Sequence, residues 1–137
     1  MADIAVLRAG LAANLSAIPG CQVSAYMLGS PTFPTLWVVP DEAEYDKTMG
    51  RGHDDEFFVV QALCGTPSDI GAQKTMDKFL SDGAYSVKDA IESDGTLGGE
   101  AQDVHVTRRE GYRTLNVEGR GLTLVCEWKV RILAPGT

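Results

Sequence analysis

Apolar residues recur at steps of three and four through residues 3–18, where Ile4, Leu7, Leu11, Leu15 and Ile18 fall on one stripe. That spacing predicts an amphipathic helix. Asp3 is placed to cap its first turn, and Pro19-Gly20 ends it, because proline cannot continue a helix and glycine accepts the turn. The period then shortens. A strand is predicted over 21–27, and after a loop holding Pro31 and Pro34 a second over 36–39, closed by Pro40. Residues 43–49 and 56–64 read as two strands joined through Gly50-Arg51-Gly52. The second of these, EFFVVQALC, is apolar on both parities except at Gln61, the pattern of a central strand covered on both faces.

Helical spacing returns after Pro67, with Ser68 as N-cap, a run to about Leu80, and Ile70, Met76, Phe79 and Leu80 as the inner face. Ser86 starts a short third helix with Asp89 in the capping-box position. Asp94-Gly95 and Gly98-Gly99 mark a loop. Residues 103–109 alternate, Val104 and Val106 against His105 and Thr107, and 111–121 read as the connecting turn region. The last run, LTLVCEWKVRIL, puts Leu122, Leu124, Cys126, Trp128, Val130 and Ile132 on one parity and Glu127, Lys129 and Arg131 on the other. Lys129 is expected to face solvent or a partner between two buried neighbours. The order is α-β-β-β-β-α-α-β-β. It predicts an α+β fold, helices packed on an antiparallel or mixed sheet, in one domain over 1–137.

Composition, 44% hydrophobic and 23% charged, is that of an ordinary globular protein. No apolar run approaches the ~20 residues of a membrane span, and the N-terminus lacks a signal peptide's basic start and apolar middle. The expectation is a protein made in the cytoplasm with no membrane partner. Charge changes the picture more. The formal net charge is −7, which disfavours stand-alone nucleic-acid binding, since that affinity comes from Lys and Arg on phosphates. Residues 1–99 hold six bases and fourteen acids, residues 100–137 six bases and five acids, and 41–56 alone seven acids and two bases. Such polarity fits either a solvated acidic face or a subunit whose acidic side meets a neighbour's basic side. On the second reading Arg51, Asp54, Asp55 and Glu56 of the acidic hairpin would meet Arg108, Arg109, Arg113 and Arg120 of another copy.

Candidate chemistry is sparse. GRGHDDE, residues 50–56, is the densest polar cluster, and a small metal-dependent hydrolase would use His53, Asp54, Asp55 and Glu56 as ligands or bases. Adjacent strand residues point to opposite faces, however, so the four converge on one ion only if the segment coils into a loop. No phosphate loop, dinucleotide fingerprint or nucleophile elbow is present, and no cofactor is implied. Cys21, Cys64 and Cys126 lie among apolar or strand-forming neighbours. They read as buried thiols, with a disulfide or redox role as the alternative.

Five stretches together carry a family resemblance: the N-terminal helix with Ile18-Pro19-Gly20 and a strand ending near Tyr26; EYDKTMGRGHDDEFFVVQALCG, 44–65; SDIGAQKTMDKFL, 68–80; SVKDAIESDGTLGG, 86–99; and DVHVTRREGY, 103–112, before the long last strand. The chain resembles, over nearly its whole length, the tail terminator proteins of long, non-contractile-tailed phages of actinobacteria. YDxxMGRGxD, 45–54, is the most specific piece. The chain departs from the family pattern near Glu56-Phe57 and at Cys64, both read as packing variation. The resemblance implies a tail-terminator-like α+β fold and a homo-oligomeric ring of six subunits at the head-proximal end of the virion tail. Its implied partners are the major tail tube protein and a head–tail connector or neck protein, with genomic DNA passing through unbound. It implies no enzyme activity, cofactor or metal. Another head–tail joining protein is the neighbouring alternative.

Overall fold

The apolar stripe of the first segment folds as α1 (Ile4–Leu15), with Leu7, Leu11 and Leu15 buried. Past Leu15 the backbone tightens to i→i−3 bonds, Ala17 to Asn14 and Ile18 to Leu15, which keeps Ile18 in the core after the helix proper has ended. The computed structural model describes residues 4–27, 34–44, 53–66, 68–97, 101, 103–117 and 121–135; for 42–44, 53, 54, 117, 134 and 135 it describes the backbone alone. The expected Asp3 cap lies outside them. Arg8 ties α1 to the first strands: Nε donates to the Ala25 carbonyl and Nη2 to that of Val38, both at 2.7 Å, and the guanidinium stacks 4.1 Å from the Tyr26 ring centre.

The strands are β1 (Gln22–Ser24), β2 (Thr35–Glu44), β3 (His53–Leu63), β4 (Asp103–Val117) and β5 (Gly121–Pro135), in the spatial order β1-β2-β3-β5-β4. β1 and β2 are parallel and every other pairing is antiparallel. The fold is α+β on a mixed sheet. The strand expected at 36–39 and the first two residues of the one expected at 43–49 run together as β2 across a bulge between Pro40 and Ala43, and 45–49 lie outside the described residues. Pro40 does not close the strand. β1 pairs only with residues 35–37, so at Pro40 β2 is already the sheet edge and a missing amide costs no ladder bond.

Two helices connect β3 to β4. α2 (Ile70–Leu80) begins one residue later than the sequence predicts: Asp69, not Ser68, is the N-cap, its carboxylate accepting from the Gly71 amide at 2.8 Å. The inner face is Ala72, Met76 and Phe79, with Leu80 partly buried. Ile70, expected inside, is 66% exposed because it sits two residues, about 200°, from Ala72. α3 (Val87–Ile91) is capped by Ser86 as expected, while the Asp89 carboxylate accepts from the Gly83 amide. Asn14 of α1 is buried and donates to the carbonyls of Ile91 and Asp94, which locks α1 to the end of α3.

The turn expected over 111–121 is largely strand. β4 continues to Val117, with register shifts between Val106 and Arg108 and between Glu110 and Arg113. Gly111 makes the second shift possible. Its φ of +71° is a left-handed value that a side chain disfavours, and a Cβ there would run into the Arg113 guanidinium and come within 2.9 Å of Glu127 Oε1. On β5 the parity holds from Leu124 to Ile132, all buried, but Leu122 is 61% exposed because no helix reaches that far.

One core forms between the helices and the inner sheet face, around Phe58, Val60, Trp128 and Val130. Trp128→Ala is expected to lower the free energy of unfolding by ~3–5 kcal/mol in urea titration, and Gly111→Ala by about 1–3 kcal/mol.

Candidate functional site, the helix-free face of the sheet

Strand alternation sends Trp37, Gln61, Glu127 and Arg113 to the face opposite the helices; the register sets Trp37 opposite Gln61 and Gln61 opposite Glu127, while Arg113, opposite Val125, reaches Glu127 diagonally across the register shift. They form a ladder. Trp37 Nε1 donates to Gln61 Oε1 at 2.6 Å, Gln61 Nε2 donates to Glu127 Oε2 at 2.7 Å, and Arg113 Nη1 lies 3.0 Å from Glu127 Oε1. The Gly111 bulge aims Arg113 into it. Trp37, Leu63 and Val125, with Val39, pack as a small second cluster beside the ladder, and no residue of α1, α2 or α3 belongs to it.

Two ion pairs continue the face. Lys129 Nζ is 3.2 Å from Asp41 Oδ2 and 5.3 Å from the Phe57 ring centre. As expected, Lys129 points away from the core between buried Trp128 and Val130; its side chain is only 18% exposed because it lies along the sheet against Asp41. Arg131 Nη2 is 3.0 Å from Asp55 Oδ1 and donates to Oδ2 at 3.1 Å. Asp55 is buried, and its Oδ1 accepts no hydrogen bond.

These pairings revise the charge reading. Two acids of 41–56, Asp41 and Asp55, are met by bases of the same chain, because β5 lies beside β3 and reaches across it to β2. Of the eight residues expected at an interface, Asp55 is buried in a pair with Arg131, and Glu56 is buried on the opposite, helix-covered side. Neither is held out for a neighbour. Arg108 is exposed 3.4 Å from Glu110, Arg113 is in the ladder, and Arg109 is exposed. Arg51 and Arg120 lie outside the described residues, as does the side chain of Asp54. Sequence reasoning missed Trp37, Gln61 and Glu127. The signal was there: Gln61 is the one polar residue of an otherwise apolar strand.

The hydrolase reading needs His53, Asp54, Asp55 and Glu56 to converge. They lie in extended β3, which sends Asp55 and Glu56 to opposite faces, and the His53 side chain lies outside the described residues. Among the described residues no three His, Cys, Asp or Glu side chains gather as metal ligands. Cys64 and Cys126 are buried, Cys21 is partly so, and all are free thiols. Burial raises all three pKa values, that of Cys64 to about 12 with help from the other two, so at neutral pH it is a poor nucleophile. No family model and no curated protein matches this sequence.

At the far edge, Glu92 fastens α3 to β4. Its carboxylate takes Lys88 Nζ at 2.8 Å and the Val106 amide at 3.0 Å, and His105 Nδ1 lies 3.2 Å away. Partial burial raises the Glu92 pKa, but the Lys88 and Val106 hydrogen bonds and the nearby positive charge outweigh it, leaving the carboxyl below the ordinary glutamate value. A lowered folded pKa means stability that is present above the unfolded value and lost as pH falls through the folded one.

Arg131→Ala is expected to cost about 1–3 kcal/mol in urea unfolding, by stranding the Asp55 charge, with solvent taking up part of the loss because Arg131 is itself half-exposed. Adding Asp55→Asn should recover much of that cost. Glu92→Gln should flatten the fall of thermal midpoint between about pH 5 and pH 3 relative to the unaltered chain.

Proposed function

We propose that this chain is a structural virion subunit, a tail terminator: a ring, six-membered by the resemblance, that caps the tail tube, stops its polymerisation and joins it to the neck. The observation that carries the proposal is the division of the sheet into a helix-covered face and a helix-free face on which Arg113, Lys129 and Arg131 are each paired with an acid of the same subunit. A ring that mates with one protein below and another above uses polar, selective surfaces rather than one large apolar patch. A head-to-tail ring also requires two different, mutually complementary edges, and this sheet ends on a three-residue strand at one side and a fifteen-residue strand at the other. The stretches of 44–65 and 68–80 support the same reading from the sequence side. Its place is the head-proximal tail end, after synthesis in the bacterial host, with DNA passing through and no catalytic residue required.

The test is electron microscopy of tail-tube subunits polymerising with and without the purified chain. Tubes that stop at a capped end and then bind the neck protein at that end are the expected result. An unchanged length distribution with bare ends would contradict the proposal.

A further inference from the structure

The helix layer does not close everywhere. Where the C-terminal half of α2 passes the turn after α1, a hollow of about 320 Å³ remains, at the lower end of the range for small-molecule sites. Pro19 and Gly20 of that turn, and Pro34 just before β2, form one side of it. Thr75, Lys78 and Phe79 come from one face of α2, with Phe79 buried, and Tyr85 stands just before α3. The polar groups are few. Lys78 is the one charged residue of the lining. Its Nζ lies 4.9 Å from the centre of the Tyr85 ring, and it forms no ion pair among the described residues. Asp77 and Asp82 line a neighbouring hollow that shares Lys78 and Tyr85, and neither lines this one. The Tyr85 hydroxyl has no hydrogen-bond partner among the described residues. Thr75 donates its proton to the Gly71 carbonyl at 2.9 Å, so its oxygen can only accept. The donors on offer are therefore an ammonium and a phenol, framed by proline and aromatic rings.

We propose that this hollow binds a small aromatic carboxylate, its ring against Pro19, Pro34 and Phe79 and its carboxylate on Lys78 Nζ and the Tyr85 hydroxyl. A flat ring packs against the rings already there. An ammonium held near an aromatic ring by its charge keeps its N–H groups for an anion, and one ammonium balances one negative charge. Phosphate recognition draws on several charged donors or an arginine fork, and the lining has neither. A cationic ligand would meet Lys78 with no acid in the lining to offset it. Bound there, the ligand spans from α2 to the turn after α1 and fills the gap between them. The inference is read from this hollow alone and does not depend on the tail-tube reading.

Titration of the isotope-labelled full chain with phenylacetate, followed by its amide resonances, tests it. Binding with a Kd on the order of 1 mM is expected for a ligand of this size. The shifts should centre on Gly20, Thr75, Lys78, Phe79 and Tyr85, and the thermal midpoint should rise with phenylacetate concentration. Phenylacetamide, which lacks the charge, and hexanoate, which lacks the ring, should each bind about fivefold more weakly or worse. Lys78→Gln, at an exposed position, should weaken phenylacetate binding about tenfold while circular dichroism stays unchanged. Lys74→Gln, on the same helix but outside the hollow, should leave binding as it is. A chain that shows no shifts, shifts scattered over the surface, equal binding of phenylacetamide or hexanoate, or equal weakening by the two lysine variants would each overturn the proposal. The comparison of the three ligands on the unaltered chain decides the matter should Lys78→Gln disturb folding.

Discussion

The pairing of β3 with β5 runs through eleven residue pairs, His53 with Pro135 to Leu63 with Val125, without a register shift, while both flanking pairings contain bulges. Everything on either face is referred to that pair. Because side chains alternate with a period of two, a one-residue slip would turn one of the two strands over: it would carry either Phe58 and Val60 of β3 or Trp128 and Val130 of β5 out of the core, and bring Asp55, or Lys129 and Arg131, under the helices. Burying those charges without their present partners would cost several kcal/mol for each ion. The apolar parity and the charged parity therefore select the same alignment from opposite directions. The bulges fall in β2 and β4, each of which has a side free of further pairing where a local kink disturbs less.

The same register explains how an acidic chain organises its charge. Read along the chain, acids crowd 41–56 and bases gather in the last quarter, and the segregation resembles a demand for an external partner. In the fold the strand holding Asp55 lies against the strand holding Arg131, and Lys129 reaches Asp41 across β3. Chain distance had hidden neighbours in space. What remains outward-looking is different: a ladder from Trp37 to Arg113, and a two-stranded end of the sheet where Leu122 is exposed. Both features suit a subunit whose work is done by surfaces.

Much of the architecture was legible because it rests on local periodicity. The stripe of α1, the capping of α3 by Ser86 and the alternation of β5 from Leu124 onward are each written within a dozen residues, and the structure keeps them. The misread places are those where long-range context overrides a local signal. Pro40 normally ends a strand, but a proline at an unpaired edge is harmless. Gly111 normally marks a turn, but here its left-handed backbone makes a bulge that lets β4 run on to Val117. Leu122 shares the buried parity and is exposed because helix coverage ends before it, which no pattern within the strand records. The site was less legible than the fold. Its rungs come from four strands, and only Gln61 stood out as a polar residue in an apolar run.

The account stands on the β3–β5 alignment, and nuclear Overhauser contacts in the labelled protein measure it directly. Cross-strand contacts joining Phe58 with Val130, Val60 with Trp128 and Ala62 with Cys126 are the predicted result. A set displaced by one residue, with Val59 or Gln61 opposite Trp128, would contradict it and with it the assignment of both faces.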